Sequence, residues 1–170
     1  MTNYALPQLD ASPTLRPMTY PTLEAVGSGR ILDVSALNRP AVLICFAEAT
    51  QHGAGPVEAA VRARYTAAQV LVGHVIDLHS VPSLFRNMAR GILNQEHAKA
   101  VGELPPGESA EDYMVILPDW DGGLISALNL EDVSQRLGVA VFAADGTLIG
   151  TAQGADVPAA TLRLLEGAVD

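Results

Sequence analysis

The residues most able to do chemistry lie in, and just after, one apolar segment. Ala41–Phe46 is an unbroken apolar run that contains the only cysteine of the chain, Cys45. A loop of mostly small residues follows, and it carries three polar side chains: Thr50, Gln51 and His52. A helical pattern then begins near Pro56, which suits a first helical turn because proline has no N–H to leave unbonded. Strand, loop and helix amino terminus, in this order, form the place where open α/β sheets bind ligands or react.

The thiol of Cys45 and the imidazole of His52 are the two groups of this segment that could take part in catalysis or binding. Cys45 stands between Ile44 and Phe46, where burial would raise its pKa and limit access, so we predict a structural core residue and not a reactive thiol. His52 can act as an acid, a base or a ligand contact beside the helix amino terminus, and the alternative is a solvated loop histidine. Thr50 has an ordinary alternative role in a turn. We take Thr50, Gln51 and His52 as the candidate binding residues and assign no catalytic residue.

Metal and cofactor motifs are weak in this sequence. Asp77 and His79 fall two apart at a predicted strand end and can point the same way, but with His74 and His97 they lack a clear third ligand. Asp119–Gly123 begins like a calcium loop and then loses the acidic pattern, so we predict a turn in which Trp120 lies on the surface or anchors a partner. No phosphate-binding loop or serine nucleophile elbow occurs. We predict no metal and no cofactor.

Composition narrows the class of protein. The chain has 170 residues, 49% of them hydrophobic, which fits one globular domain. Its net charge is −9 with ten basic residues, which disfavours nucleic acid and anionic membrane surfaces as partners. One cysteine excludes an intrachain disulfide. No apolar run reaches the roughly 20 residues that span a bilayer, and residues 1–17 do not resemble a secretory signal, so a cytoplasmic location is expected.

The predicted elements form a mixed sheet with helices on both faces. A Pro- and Thr-rich extended arm covers residues 1–26, with an edge strand near Leu15–Tyr20, and the domain covers 27–170. The predicted strands are Arg30–Val34, Ala41–Phe46, Val70–Asp77, Tyr113–Leu117, Val139–Ala143 and Thr147–Ala152. The last two are joined by Asp145-Gly146, a strong hairpin signal. The arm can pack on its own domain or on a neighbouring chain, so the sequence does not decide between a monomer and a homodimer.

Four helices are predicted between and after these strands. The first runs from the Pro56 region to Ala67 inside a parallel βαβ unit. The second begins at a Ser80 cap and continues to about Val101, with apolar residues at helical spacing. The third is capped by Asn129 and ends at Gly138. The fourth follows a cap at Asp156.

These pieces resemble the thioredoxin-like superfamily, within it the peroxiredoxin and TlpA-like branch. Arg39–Phe46 is similar to the strand that delivers the redox loop. Ser134–Val139 and Val141–Ile149 are similar to the part of the family's sequence in which a later helix is followed by two strands joined by Asp-Gly. Asp156–Gly167 is similar to the family's last helix. The resemblance covers about Gly29 to Ala168. It implies a three-layer α/β/α sandwich. The reactive cysteine of active members would fall within Thr50–Pro56, and their cis-proline near Gly138–Val141. The first of these windows contains no cysteine, and the second contains no proline.

Three functions follow as alternatives. The first is a redox-inactive thioredoxin-like module that binds a protein partner through the former active-site face. The second is a single-cysteine peroxidase or thiol oxidoreductase that uses Cys45 with His52 nearby. The third is a small-molecule-binding protein with a cleft beside His52. We rank the binding module first, small-molecule binding next and catalysis last.

Overall fold

A five-stranded mixed sheet forms the centre of the molecule. The computed structural model describes residues 18–169. The strands of the main sheet are β3 (Ala41–Phe46), β4 (Leu71–Asp77), β5 (Val115–Asp119), β6 (Gly138–Phe142) and β7 (Leu148–Gln153). Their order across the sheet is β5-β4-β3-β6-β7. Strands β3, β4 and β5 are parallel, and β6 runs antiparallel to both of its neighbours. The predicted mixed sheet, with a parallel βαβ unit and a C-terminal hairpin, is confirmed.

Within residues 18–169, five helices and a small two-stranded sheet surround this centre. The helices are α1 (Ala54–Arg62), α2 (Arg86–Gly102), α3 (Ala110–Tyr113), α4 (Gly123–Ala127) and α5 (Val157–Val169). The small sheet pairs β1 (Leu23–Glu24) with β2 (Ile31–Leu32). Short 3₁₀ segments occupy Val34–Ala36, Glu48–Gly53 and Ser83–Phe85. Within residues 18–169, no helix combines the length and apolar character needed to cross a bilayer.

Two hydrophobic clusters lie on opposite faces of the sheet. Because β3 is central and covered on both sides, all six of its residues are buried, and they alternate between the two clusters. Val42 and Ile44 pack towards α1 and α5. Leu43 and Cys45 pack towards α4 and the β1–β2 ribbon. On that second face, the Tyr20 and Phe142 rings pack nearly perpendicular to each other at a centroid distance of 5.3 Å.

The hairpin between β6 and β7 forms as its Asp-Gly turn predicts. Gly146 has φ +86°, a conformation that glycine adopts without strain. The Thr147 amide donates to the Asp145 side chain at 2.9 Å and closes the turn. A β-carbon on Gly146 would also lie 2.4 Å from the Val34 carbonyl oxygen, so the turn packs against the backbone that leads into β3.

Other predicted elements differ from the structure. The helix predicted from Asn129 to Leu137 is wrong: the Asp132 side chain accepts the Ser134 amide at 2.9 Å in a local turn, and Asn129 has φ +53°. Gly138 therefore begins a strand and does not end a helix. The first helix stops at Arg62, five residues before Ala67. The first half of the edge strand predicted near Leu15–Tyr20 lies outside the described residues, and residues 18–20 form no strand.

The second long helix forms, but its start differs from the prediction. Pro82 has ψ 145°, outside the helical region, so Ser80 caps nothing and α2 begins only at Arg86 after a 3₁₀ turn. The apolar spacing is carried by this helix, yet α2 contains no buried residue. The spacing of apolar residues thus predicted a helix correctly without predicting what covers it.

Candidate functional site

A cleft of about 700 Å³ opens at the carboxyl end of β3. Three loops form its walls. The first is the 3₁₀ segment after β3 with the start of α1, the second is the turn before β6, and the third joins β7 to α5. The walls consist of Ala49, Thr50, His52, Gly53, Pro56, Val57, Ser134, Gln135, Arg136, Leu137, Gly154, Ala155, Asp156, Val157 and Pro158. Most of these side chains are apolar or small, and the ionisable ones are His52, Arg136 and Asp156.

The topology explains why these loops meet. Strand β6 is antiparallel to β3, so its amino end lies beside the carboxyl end of β3, where Cys45 is paired with Gly138. The end of β7 returns to the same edge, where Gln153 faces Gly138. Segments separated by about a hundred positions in the sequence therefore border one cleft. Sequence reasoning found the first wall and missed the other two.

Thr50 holds two of the walls together. It is 8% exposed, and its hydroxyl donates to the Val133 carbonyl at 2.6 Å while accepting the Ala47 amide at 3.1 Å. The hydroxyl thereby joins the loop after β3 to the turn before β6. Its hydrogen-bonding capacity is used within the protein, so Thr50 shapes the cleft more than it presents a free group to a ligand.

Replacing Thr50 by valine should destabilise the protein by about 1–3 kcal/mol. Valine keeps the shape but leaves the Val133 carbonyl and the Ala47 amide without their partner. Urea unfolding followed by circular dichroism measures this loss. Thr151→Val, at an exposed position of β7, is the matched control and should change the free energy of unfolding by less than about 0.5 kcal/mol. Equal effects of the two substitutions would contradict the assigned role.

The other two candidate binding residues are placed differently. His52 is exposed and lines the cleft, whereas Gln51 is exposed and does not contribute to its walls. Their role in binding stays a prediction. Leu137 closes the bottom of the cleft against Gly53, where a β-carbon would come within 3.2 Å of the leucine side chain. The small residue at position 53 lets the two walls approach.

Cys45 lies on the other side of the sheet from the cleft. It is fully buried and packs in the cluster that contains α4, while the cleft is built over the cluster that contains α1 and α5. Burial raises the pKa of the Cys45 thiol far above its usual range, and the nearby carboxylates Asp119 and Asp77 raise it further. The thiol is thus neutral at physiological pH and has no opening towards the candidate site.

Of the four residues considered as metal ligands, only Asp77 and His79 come together. His74 Nε2 lies 3.0 Å from the Glu58 carboxylate. His79 Nδ1 lies 2.6 Å from Asp77 Oδ1, and that hydrogen bond, with the charge of Asp77, raises the pKa of His79. His97 packs its ring on Gly27, where a β-carbon would lie 2.3 Å from the ring. In the described part of the chain, no three histidine, cysteine, aspartate or glutamate side chains are grouped to hold a metal ion.

Trp120 and Asp121 form a turn, as predicted, and the Asp119–Gly123 segment leads from β5 into α4. The buried Asp119 carboxylate accepts the amides of Gly123 and Ile125, each at 3.0 Å, and so caps α4. Trp120 is half-buried beside α2. The guanidinium groups of Arg86 and Arg90 stand 5.8 and 5.1 Å from the centre of its ring.

Several solved structures share this architecture. No protein-family model matches the sequence, and no curated protein is significantly similar to it. Mycobacterium tuberculosis DsbF, solved in mixed oxidised and reduced forms, is 18% identical over 88% of this chain and 99% of its own, with a TM-score of 0.53. The fold is thioredoxin-like. A thioredoxin-family thiol:disulfide interchange protein from Chlorobium tepidum is 16% identical over 91% of this chain and 98% of its own, with a TM-score of 0.54.

The thioredoxin-like fold is present without its dithiol. A putative DsbE from Chlorobium tepidum is also similar, at 12% identity and a TM-score of 0.54 over 89% of this chain and 96% of its own. The similarity thus reaches DsbE-like disulfide oxidoreductases, whereas this chain has one buried cysteine and no Cys-x-x-Cys motif. None of the peptide bonds within residues 18–169 is cis. No proline occurs in Gly138–Val141, where the resemblance places the cis-proline. The fold is therefore present without the residues of a redox site.

Proposed function

We propose that this protein is a redox-inactive thioredoxin-like binding module whose cleft holds an apolar segment of a protein partner. The observation that carries the proposal is the separation of the cleft from the thiol. The cleft opens at the ligand end of the sheet, while the thiol of Cys45 is buried on the opposite face. The chain therefore has a cleft at the ligand end of the sheet, and it has no accessible thiol there.

The walls favour an apolar occupant. Five wall residues present apolar surface: Ala49, Val57, Leu137, Ala155 and Pro158. Burying such surface contributes about 25 cal/mol per Å² to the free energy of binding. His52, Arg136 and Asp156 are all exposed and stand at the rim, where they can orient a peptide without a charge being buried. An extended segment with one or two apolar side chains fits this distribution.

Small-molecule binding is the second candidate, favoured by the size of the cleft. A volume of about 700 Å³ lies within the range of roughly 300–1,000 Å³ typical of small-molecule sites. A thiol oxidoreductase or peroxidase ranks last. That chemistry needs an accessible thiolate, and Cys45 is neither accessible nor ionised at neutral pH.

A substitution at the rim tests the proposal. Ala155 is exposed, so Ala155→Arg should fill the cleft without unfolding the protein. Fluorescent peptides from an array of short apolar sequences are titrated against each variant, and anisotropy is read. We expect binding to the native cleft and a loss of at least about tenfold, or 1.4 kcal/mol, in Ala155→Arg.

The control adds the same charge elsewhere. Ala59 is exposed on α1 and lies outside the cleft, so Ala59→Arg should bind the peptides as the unmodified protein does. Peptides that bind Ala155→Arg unchanged would refute the proposed site. Thermal midpoints raised by a panel of metabolites but by none of the peptides would instead support the small-molecule candidate.

A further inference from the structure

Helix α2 and the 3₁₀ turn before it turn large apolar side chains to the solvent. Leu84, in the turn, is 81% exposed, and on the helix Met88 is 62% and Ile92 56% exposed. Of the eight large hydrophobic side chains that are exposed within residues 18–169, five belong to the segment from Leu84 to Val101. Such a concentration on one continuous segment is unusual for a monomeric surface and marks an interaction site.

The opposite side of α2 holds the helix to the domain. Arg86 donates to the Trp120 carbonyl at 3.1 Å and pairs with Asp121, and Arg90 stands over the Trp120 ring. His97 packs on Gly27. Because these charged and polar residues face the domain, the outer side is left uncharged from Leu84 to Gln95. We call this side the outer stripe; it consists of Leu84, Phe85, Met88, Gly91, Ile92 and Gln95.

We propose that the outer stripe is a homodimer interface in which two α2 helices cross antiparallel about a two-fold axis between Gly91 and Ile92. With this axis, the numbers of two residues that face each other across the interface add up to about 183. Ile92 then packs on the partner's Gly91, and Phe85 on the partner's Ala98. Ile92 and Phe85 thus each meet a small residue, while Met88 meets the partner's Gln95. The outer stripe can therefore pack on a copy of itself, as a two-fold interface requires.

Gly91 supports the place of the crossing. Glycine in the middle of a helix is unfavourable by roughly 1 kcal/mol relative to alanine. Nothing in the described domain lies within 4 Å of a β-carbon at this position, so no intramolecular contact requires the glycine. It lies on the outer stripe between Met88 and Ile92, where its missing side chain lets a second helix approach closely.

Charge also favours the outer stripe as the place where a second copy binds. Two chains of net charge −9 repel each other, so a surface without carboxylates is the most favourable one for their association. Between Leu84 and Gln95 no carboxylate occurs. In the proposed register, Glu96 stands opposite the partner's Asn87, and the hydrocarbon part of Lys99 opposite the partner's Leu84. Like charges therefore do not meet across the axis.

Sedimentation equilibrium of the full chain over a range of concentrations tests the dimer. We expect a monomer–dimer equilibrium that Ile92→Glu weakens at least tenfold, since it places a charge at the centre of the interface. Asn94→Glu adds the same charge on another side of α2 and should leave the dissociation constant within about twofold. Gly91→Gln should raise the thermal midpoint of the monomer through helix propensity and yet weaken the dimer.

Several results would overturn this inference. A protein that stays monomeric up to about 1 mM has no such interface. A dimer that Ile92→Glu leaves intact uses another surface. A monomer that binds vesicles of phosphatidylcholine and phosphatidylglycerol, and loses that binding in Ile92→Glu, would assign the outer stripe to a lipid surface instead.

Discussion

The Cys45 thiol should react with DTNB at least about a thousandfold more slowly in the native protein than in the chain unfolded by guanidinium. The sulfur is fully buried, so the reagent reaches it only when the protein opens. A stability of about 5–15 kcal/mol leaves fewer than roughly one molecule in a thousand globally unfolded. The raised pKa of Cys45 adds to the effect, because the native thiol holds its proton at neutral pH.

The reaction is followed by the absorbance of the released thiolate, with Cys45→Ala as the blank. The rate in the native state should rise with added denaturant as the open population grows. Rapid modification of the native protein without denaturant would show an accessible thiol. That result would favour the oxidoreductase alternative over the binding module.

Loss of the Asp119 carboxylate should give the largest drop in stability among polar substitutions near the site. Asp119 is 2% exposed and accepts two amides at the start of α4. In Asp119→Ala both amides lose a charged acceptor, and each such hydrogen bond contributes about 1.5–3 kcal/mol. We expect the free energy of unfolding to fall by roughly 3–5 kcal/mol in urea titrations.

The neighbouring Asp121 provides the control. Its side chain is 84% exposed and pairs with Arg86 at the surface, so Asp121→Ala should cost at most about 1 kcal/mol. Should Asp119→Ala unfold with the same midpoint as Asp121→Ala, the cap assigned to Asp119 would be wrong. Hydrogen exchange at the Ile125 amide gives an independent measure, because loss of the acceptor should speed it.

The parts of the fold that the sequence predicts well are those with local causes. The apolar run Ala41–Phe46 became a central strand because only a position covered on both faces tolerates six consecutive apolar residues. The Asp145-Gly146 pair became the hairpin turn because its geometry depends on neighbouring atoms alone. Local signals of this kind also carried the prediction that Cys45 is buried.

The parts that failed depend on distant contacts. Helix α4 has five residues and relies on the Asp119 cap, so its own sequence gives little signal. The apolar spacing of α2 predicts a stripe, but not whether the stripe faces the domain or another molecule. Two walls of the cleft come from residues far from Thr50 in the chain, and only the strand order brings them together.

A single sheltered sulfur makes this chain convenient for site-directed spectroscopy. A new surface cysteine, at Ala49 on one wall of the cleft for example, would take a nitroxide or fluorophore while Cys45 stays unmodified under native conditions. Pairs of such labels on the loops after β3 and β7 would report how far the cleft opens when it is occupied. No background substitution of the native residue would be needed.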